Sequence, residues 1–380
     1  MRALSIDTGD PALVHDYLLV LRGAERTFAS IADIWPSAPV YTLLYDADGT
    51  EGRFGGHPVT TSTLQRTGIK QSGFRKLLPL FPLAAERLPL SDHPVVVSSS
   101  SAFAHGVRPA PGAVHVCYCH TPFRYAWFER RRAMAEVPAA VRPALGGVLA
   151  AIRQWDRRAS RRVTRYVANS RHTQRRIEQI YGREANIVHP PVEVDRFHSA
   201  ESDDYFLAVT ELVPHKRADV AAEAAAEAGK RLKVVGGGPE LEPLRRRYGR
   251  NVEFLGRVED EELVDLYAHA RALILPNVEE FGIAAVEAQA AGRPVIAAAA
   301  GGALETVQEG VTGRLVPPGD QPALKRTLRE FDNRDFDSGV IQRNAQRFSA
   351  ASFRDQFSDE VRAAVAQSSF SDEEILDARA

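Results

Sequence analysis

Two α/β domains, each a parallel sheet covered by helices on both faces, are the fold class that this sequence predicts. Three observations carry that expectation. The chain has 380 residues, two to three times the length of an ordinary domain. Short apolar runs alternate with helical patterns in both halves, as strand–helix–strand crossovers require. The charge balance also changes sign near the middle: residues 1–189 hold 25 Lys+Arg against 15 Asp+Glu, and residues 190–380 hold 23 against 34. A composition of 44% hydrophobic and 26% charged residues supplies apolar surface for a large core and excludes a disordered chain.

Taken in order, the first half reads as strands at Ala12–His15, Val40–Leu44, Val95–Ser98, Val114–Cys119 and Tyr166–Ala168, with helices such as Ala24–Ile34 between them. The segment His189-Pro190-Pro191-Val192 cannot continue a helix, because two successive prolines remove donors and clash with the preceding turn. The hinge is placed there, giving domains at 1–190 and 191–345 and a terminal segment at 346–380. The second half reads as strands at Phe206–Val209, Leu232–Val235, Val252–Leu255, Ala272–Leu275, Pro294–Ala297 and Arg314–Val316, and the acidic tail after Ser369 is expected to fray.

Several function classes fall away. No run approaches 18 apolar residues, and Asp7, Asp10 and Asp16 interrupt the opening segment where a signal peptide needs an apolar stretch. A cytoplasmic protein is expected. The two cysteines, Cys117 and Cys119, share one strand with His115 ahead of His120. Strand residues two apart are about 6.6 Å apart, too far to converge on a zinc ion with bonds of about 2.0 to 2.3 Å. Asp46-Ala47-Asp48-Gly49 reads as a turn instead of a metal motif. Gly236-x-Gly238 has Leu241 where a dinucleotide fingerprint needs its third glycine, so a nicotinamide oxidoreductase fits poorly. Arg142–Arg183 contains eleven arginines against Asp156 and Glu178. That run is either a solvated helical face or a surface for phosphate or lipid head groups; no nucleic-acid motif accompanies it. Leu64–Leu90, with Arg66, Lys70, Arg75 and Lys76 beside Leu77-Leu78-Pro79-Leu80-Phe81-Pro82-Leu83, is either buried core or a peripheral contact with an anionic membrane.

The most informative segment is Pro276-Asn277-Val278-Glu279-Glu280-Phe281-Gly282-Ile283-Ala284-Ala285-Val286-Glu287. It follows an apolar strand and leads into a helix. Glu279 would lie in the loop at the carboxyl edge of the sheet, and the amides of Phe281, Gly282 and Ile283 would form an anion site at the helix start. Glu287 would lie roughly 7.5 Å along the helix axis. Two carboxylates bracketing such amides suit a sugar, a diphosphate and a ribose in sequence, since carboxylates accept hydrogen bonds from hydroxyls. Without further context, the same glutamates read as loop and helix-surface charges favouring the helix dipole.

The whole segment resembles the E-x7-E signature of the retaining glycosyltransferases of family 4, and the resemblance extends over most of the chain. Val14-His15-Asp16-Tyr17 through Gly23-Ala24-Glu25-Arg26 is similar to the family's first strand and glycine turn, and Cys119-His120-Thr121-Pro122 to its acceptor-domain histidine segment. Leu212-Val213-Pro214-His215-Lys216, Val235-Gly236-Gly237-Gly238, Phe254-Leu255-Gly256-Arg257-Val258 and Gly301-Gly302-Ala303-Leu304-Glu305 fit as well. In detail the chain is most similar to the bacterial O-antigen mannosyltransferase branch, which implies GDP-mannose as donor. The resemblance implies the GT-B fold: two Rossmann-like domains facing each other across a cleft, acceptor domain first, with the last helices around Ala345–Val365 crossing back. It further implies that Glu279 holds hydroxyls of the transferred sugar and Glu287 the nucleotide ribose. Lys216 would neutralise the diphosphate, Gly23, Gly236 and Gly238 would let backbone approach the donor, Val258 would face the base through its main chain, and His120 would face the sugar.

Two positions depart from that pattern. Glu211 stands where the family usually has an arginine, and Arg22 where it usually has a glycine. A carboxylate beside a diphosphate opposes binding, so either Glu211 points away or another cation, with Arg22 a candidate, replaces the missing one. The reaction implied is transfer of a hexose from a nucleotide-sugar to a saccharide or polyprenyl-linked acceptor, with no metal and no other cofactor. The alternatives are a transferase using another GDP- or UDP-sugar on a natural-product acceptor, a binding subunit of the same fold without activity, and an NAD-dependent oxidoreductase.

Overall fold

The structure is a computed structural model that describes residues 9–68 and 73–377, with side-chain surroundings as far as Ser368. Asp7 and Lys70 lie outside the described residues. The chain forms two compact units. One runs to Val188 and resumes at Arg354; the other is His189–Phe353.

In the first unit, strands β1 (Ala12–His15), β2 (Val40–Thr42), β3 (Val59–Thr61), β4 (Val95–Ser100), β5 (Val114–Cys119), β6 (Arg165–Ala168) and β7 (Ala185–Ile187) form one sheet in the order β3-β2-β1-β4-β5-β6-β7. Every pairing is parallel. β1, β4 and β5 are buried from end to end, because helices cover both faces of a parallel sheet and leave no polar side. The chain turns one way after β1 and the other way after β4, so their carboxyl ends form a topological switch point. The helix Ala350–Asp377 joins this unit from Arg354 onward: Arg165 Nη1 and Asn186 Nδ2 both donate to Glu360 Oε2, at 2.9 and 2.8 Å.

In the second unit, β8 (Phe206–Val209), β9 (Leu232–Val235), β10 (Val252–Gly256), β11 (Leu273–Leu275), β12 (Val295–Ala298) and β13 (Gly313–Val316) are again parallel, in the order β10-β9-β8-β11-β12-β13. Alternate residues enter two separate cores. Leu207, Val235, Leu273 and Val295 pack on one face, and Phe206, Val234, Ile274 and Ile296 on the other, as the period of two in a strand dictates. The switch point here lies between β8 and β11.

Several boundaries differ from the sequence reading. β2 stops at Thr42 instead of Leu44, the helix read as Ala24–Ile34 is Gly23–Ala32, and β3 and β7 were not anticipated. The last helices are Ser338–Gln346 and Ala350–Asp377. The tail expected to fray is helical to Asp377. Asp46 does sit in a turn, its Oδ1 accepting from the Gly49 amide at 3.3 Å. The arginine-rich run is largely employed within the unit. Arg153 and Arg157 lie over the Trp127 ring at 4.9 and 4.8 Å, Arg162 donates to Glu86 Oε1 at 3.0 Å and to the Gly106 carbonyl at 2.6 Å, and Arg183 donates to the Ser160 and Val163 carbonyls.

Candidate functional site

The loops that follow β8 and β11, the strands flanking the switch point of the second unit, carry Lys216 and Glu279. Lys216 ends a short turn, Pro214–Lys216. Its Nζ donates to both carboxylate oxygens of Glu279, each at 2.7 Å. Asn277 Nδ2 donates to Oε1 of the same carboxylate, also at 2.7 Å. The lysine and glutamate side chains are 25% and 19% exposed. At that exposure the pair is worth on the order of 1 kcal/mol or less, so an incoming polyanion competes for Lys216 at little cost.

Close backbone packing holds the Glu279 loop in place. The Gly302 amide donates to the Glu279 carbonyl at 2.9 Å. A Cβ on Gly301 would lie 2.2 Å from that carbonyl oxygen, and one on Gly302 would lie 2.1 Å from the Phe281 carbonyl oxygen. Only glycine lets the loop after β12 lie this close. The helix Ile283–Ala290 starts behind Gly282, whose φ of 90° suits glycine. Phe281 contributes its main chain to the loop, while its ring is 3% exposed and packs near His189 and Phe348.

Glu287 is the fifth residue of that helix, and its Oε2 accepts from the Tyr267 hydroxyl at 2.8 Å. Burial first, and then the Glu287 charge, push the Tyr267 phenol well above its ordinary range. Tyr267 therefore remains a donor at working pH. Gly236 and Gly238 form the turn after β9, where packing within the chain itself requires glycine. A Cβ at either would meet this chain's own backbone, 1.8 Å from the Thr210 oxygen and 2.3 Å from the Leu212 oxygen. The glycine turn is thereby clamped to the loop that leads to Lys216. Val258 packs against the core of this unit. Its neighbour Arg257 lies over Gly237, where a Cβ would be 3.2 Å from the arginine Nε. Glu211 is exposed on the loop after β8.

In the first unit, His120 directly follows β5. Its Nε2 lies 2.8 Å from Ser99 Oγ, and the same hydroxyl lies 3.1 Å from His15 Nδ1. All three are buried, at 9%, 0% and 2% exposure. Burial, with the nearby His15, pushes the His120 pKa down to about 3, so its imidazole is neutral near pH 7. Next to this chain, Asp16 accepts from the amides of Ser101, Phe103 and Ala104, which holds the loop after β4 in place. Gly23 is the first residue of its helix, and Arg22, at the cap, is exposed. His115 is engaged by Ser98 at 2.7 Å.

The structure thus joins Lys216 with Glu279 and places Glu287 one helical turn beyond the loop. It also adds Asn277, Tyr267, Arg257, Ser99 and His15, which the sequence reading did not assign. Asn277 is signalled by its place two residues before Glu279. Tyr267 is a buried residue of the helix Asp260–His269 and Ser99 a strand residue, neither with a signal of its own.

Comparison with known proteins places this arrangement. Residues 193–347 match the family described as Glycosyl transferases group 1, and residues 21–196 match Glycosyltransferase Family 4. The chain belongs to glycosyltransferase family 4. Among family relatives, it is 32% identical over 195 residues to the GDP-mannose-dependent alpha-(1-6)-phosphatidylinositol monomannoside mannosyltransferase of Mycolicibacterium smegmatis, covering 43% of this chain and 51% of that protein. It is 29% identical over 170 residues to O-antigen chain mannosyltransferase C of Escherichia coli, covering 43% of this chain and 46% of that one. The matches therefore span about half the length of these curated relatives. Anabaena HepE, solved in complex with UDP, superposes with a TM-score of 0.68 at 18% identity, over 93% of this chain and all of that one. The fold is GT-B.

Proposed function

We propose that this family 4 protein transfers a hexose, with retention at the anomeric carbon and without a metal ion, from a nucleotide-diphospho-sugar to a saccharide or polyprenyl-linked saccharide in surface polysaccharide biosynthesis. Mannose from GDP-mannose is the preferred donor, supported by the names of the mycobacterial and E. coli relatives. In this reading the second unit binds the donor and the first unit the acceptor. The observation that carries it is the Lys216–Glu279 pair at the switch point, with Glu287 in the helix that follows.

When a donor enters, its diphosphate takes Lys216 from Glu279 and meets the amides of Phe281, Gly282 and Ile283. Glu279, still held by Asn277, is released to accept sugar hydroxyls. Glu287, oriented by Tyr267, accepts from the ribose, and the main chain at Val258 borders the base. As the glycosidic bond lengthens, charge grows on the leaving diphosphate, and Lys216 with the fixed amides stabilises it where it develops. The acceptor hydroxyl attacks the oxocarbenium-like carbon from the same face, and the departing phosphate takes its proton. His120 receives a saccharide hydroxyl. The first unit also offers an anionic membrane two exposed leucines, Leu80 and Leu83, beside exposed Arg75 and Lys76.

Thermal-shift screening against GDP-mannose, other GDP-sugars, UDP-sugars and NAD identifies the donor. GDP-mannose should give the largest stabilisation. Lys216→Ala and Glu287→Ala should each lower transfer at least a hundredfold while the melting temperature of the free protein holds, and EDTA should leave transfer unchanged. Full turnover in both variants would overturn the site, and EDTA inhibition reversed by Mn²⁺ would overturn the metal-free mechanism.

A further inference from the structure

The chain of side chains ending at His120 has a direction, and that direction determines what His120 offers a ligand. His15 Nε2 lies 3.9 Å from Glu25 Oε1, and the His15 ring stacks on Phe28 at a centroid distance of 4.8 Å. Packing fixes the ring, and the carboxylate favours the proton on the nitrogen that faces it. A neutral imidazole has one N–H, so a proton on Nε2 makes His15 Nδ1 an acceptor. The Ser99 hydroxyl then has to donate to His15 Nδ1, across 3.1 Å. Its oxygen is left with lone pairs, and the group 2.8 Å away, His120 Nε2, has to donate to it. Which nitrogen of a histidine carries the proton is set by the bond the other makes. The hydrogen bonds of His120 run through Nε2 and its main chain, so Nδ1 is the ring nitrogen left for a ligand.

We propose that Ser99, held by His15 and Glu25, locks His120 as its Nε2–H tautomer and so presents Nδ1 as a hydrogen-bond acceptor for a hydroxyl of the bound saccharide. Ser99 and His15 are positioning residues: neither touches the ligand. The tautomer follows from the geometry above for a neutral His15, and its use on a saccharide rests on the proposed transferase reading. The acceptor nitrogen selects a ligand that brings a hydroxyl there. It gains nothing from a deoxy sugar at the same position and is left unpaired by it.

The full chain labelled with ¹⁵N-histidine tests this through two-bond proton–nitrogen correlation near neutral pH, with the His120 signals assigned by their loss in His120→Gln. The expected pattern is that of an Nε2–H imidazole. Ser99→Ala should mix the two tautomers and lower turnover about tenfold, the loss of one orienting hydrogen bond, without changing donor affinity. Ser99→Thr should restore both. An Nδ1–H pattern in the unaltered protein would overturn the proposal, as would a tautomer indifferent to Ser99→Ala. Unchanged turnover in His120→Ala would overturn the hydroxyl contact, whereas donor binding through Lys216 and Glu287 would stay as measured and keep the transferase reading separate.

Discussion

At the scale of single residues, the donor-side groups are each held by one neighbour that does not meet the ligand in the proposed reading. Asn277 holds Glu279, and Tyr267 holds Glu287. Tyr267 is fully buried, with its ring edge-on to Phe197 at 5.6 Å, so replacing it by phenylalanine keeps the packing and removes only the hydroxyl. A hydrogen bond to a charged group is worth about 1.5 to 3 kcal/mol, but water can replace part of that once the phenol is gone. Tyr267→Phe is therefore expected to weaken GDP binding roughly three- to tenfold, read by calorimetric titration, with little change in melting temperature. Unaltered GDP affinity would reduce Tyr267 to a packing residue.

At the scale of elements, the segment Phe74–Leu77 and the helix Phe81–Glu86 face two ways. Leu77, Phe81, Ala84 and Ala85 enter the core of the first unit, whereas Leu80 and Leu83 are each 48% exposed, near the exposed bases Arg75, Lys76 and Arg87. The core reading of this stretch therefore holds on one side, while the other side is exposed and its contact with a membrane belongs to the proposal. Each base near an anionic surface contributes about 1 kcal/mol. Leu80→Ser with Leu83→Ser should keep the melting temperature and lower sedimentation with phosphatidylglycerol vesicles, and several hundred millimolar salt should release the unaltered protein. Equal sedimentation of the variant, or none of the unaltered protein at low salt, would remove the membrane from the proposal. The same distinction explains what could be read in advance. β5 and β9 lie inside their sheets and announce themselves as apolar runs. β3 and β7 are three-residue edge strands, Val-Thr-Thr and Ala-Asn-Ile, with no run to recognise. Lys216, Glu279 and Glu287 were singled out by the resemblance of short contiguous segments to family 4 motifs, since by spacing alone the glutamates read as loop and helix-surface charges. The His15–Ser99–His120 chain was not, since it joins three different strand ends, 84 and 21 residues apart in sequence.

At the scale of the whole molecule, two buried histidines make the stability of the first unit sensitive to acid. His115 and His120 both belong to the first unit, and burial pushes each pKa down to about 3, with His105 and then Arg162 adding to the effect at His115 and His15 at His120. An unfolded histidine takes up its proton near the ordinary value of about 6.5, while these two stay neutral in the native state until far lower pH. Below about 6.5 the unfolded chain binds more protons than the folded one, so their contribution is intact above that pH and is lost as pH falls toward 3. At pH 5 each is about 1.5 pH units below its unfolded value, a loss on the order of 2 kcal/mol per histidine. Stabilities of this size class are about 5 to 15 kcal/mol, so the effect is measurable. The reporter is built in: the three tryptophans, Trp35, Trp127 and Trp155, all lie in the first unit. Urea unfolding followed by tryptophan fluorescence should show a midpoint that drops between pH 7 and pH 5, and His115→Asn should remove about half of the drop. A midpoint independent of pH over that interval would mean that both imidazoles titrate normally in the folded chain.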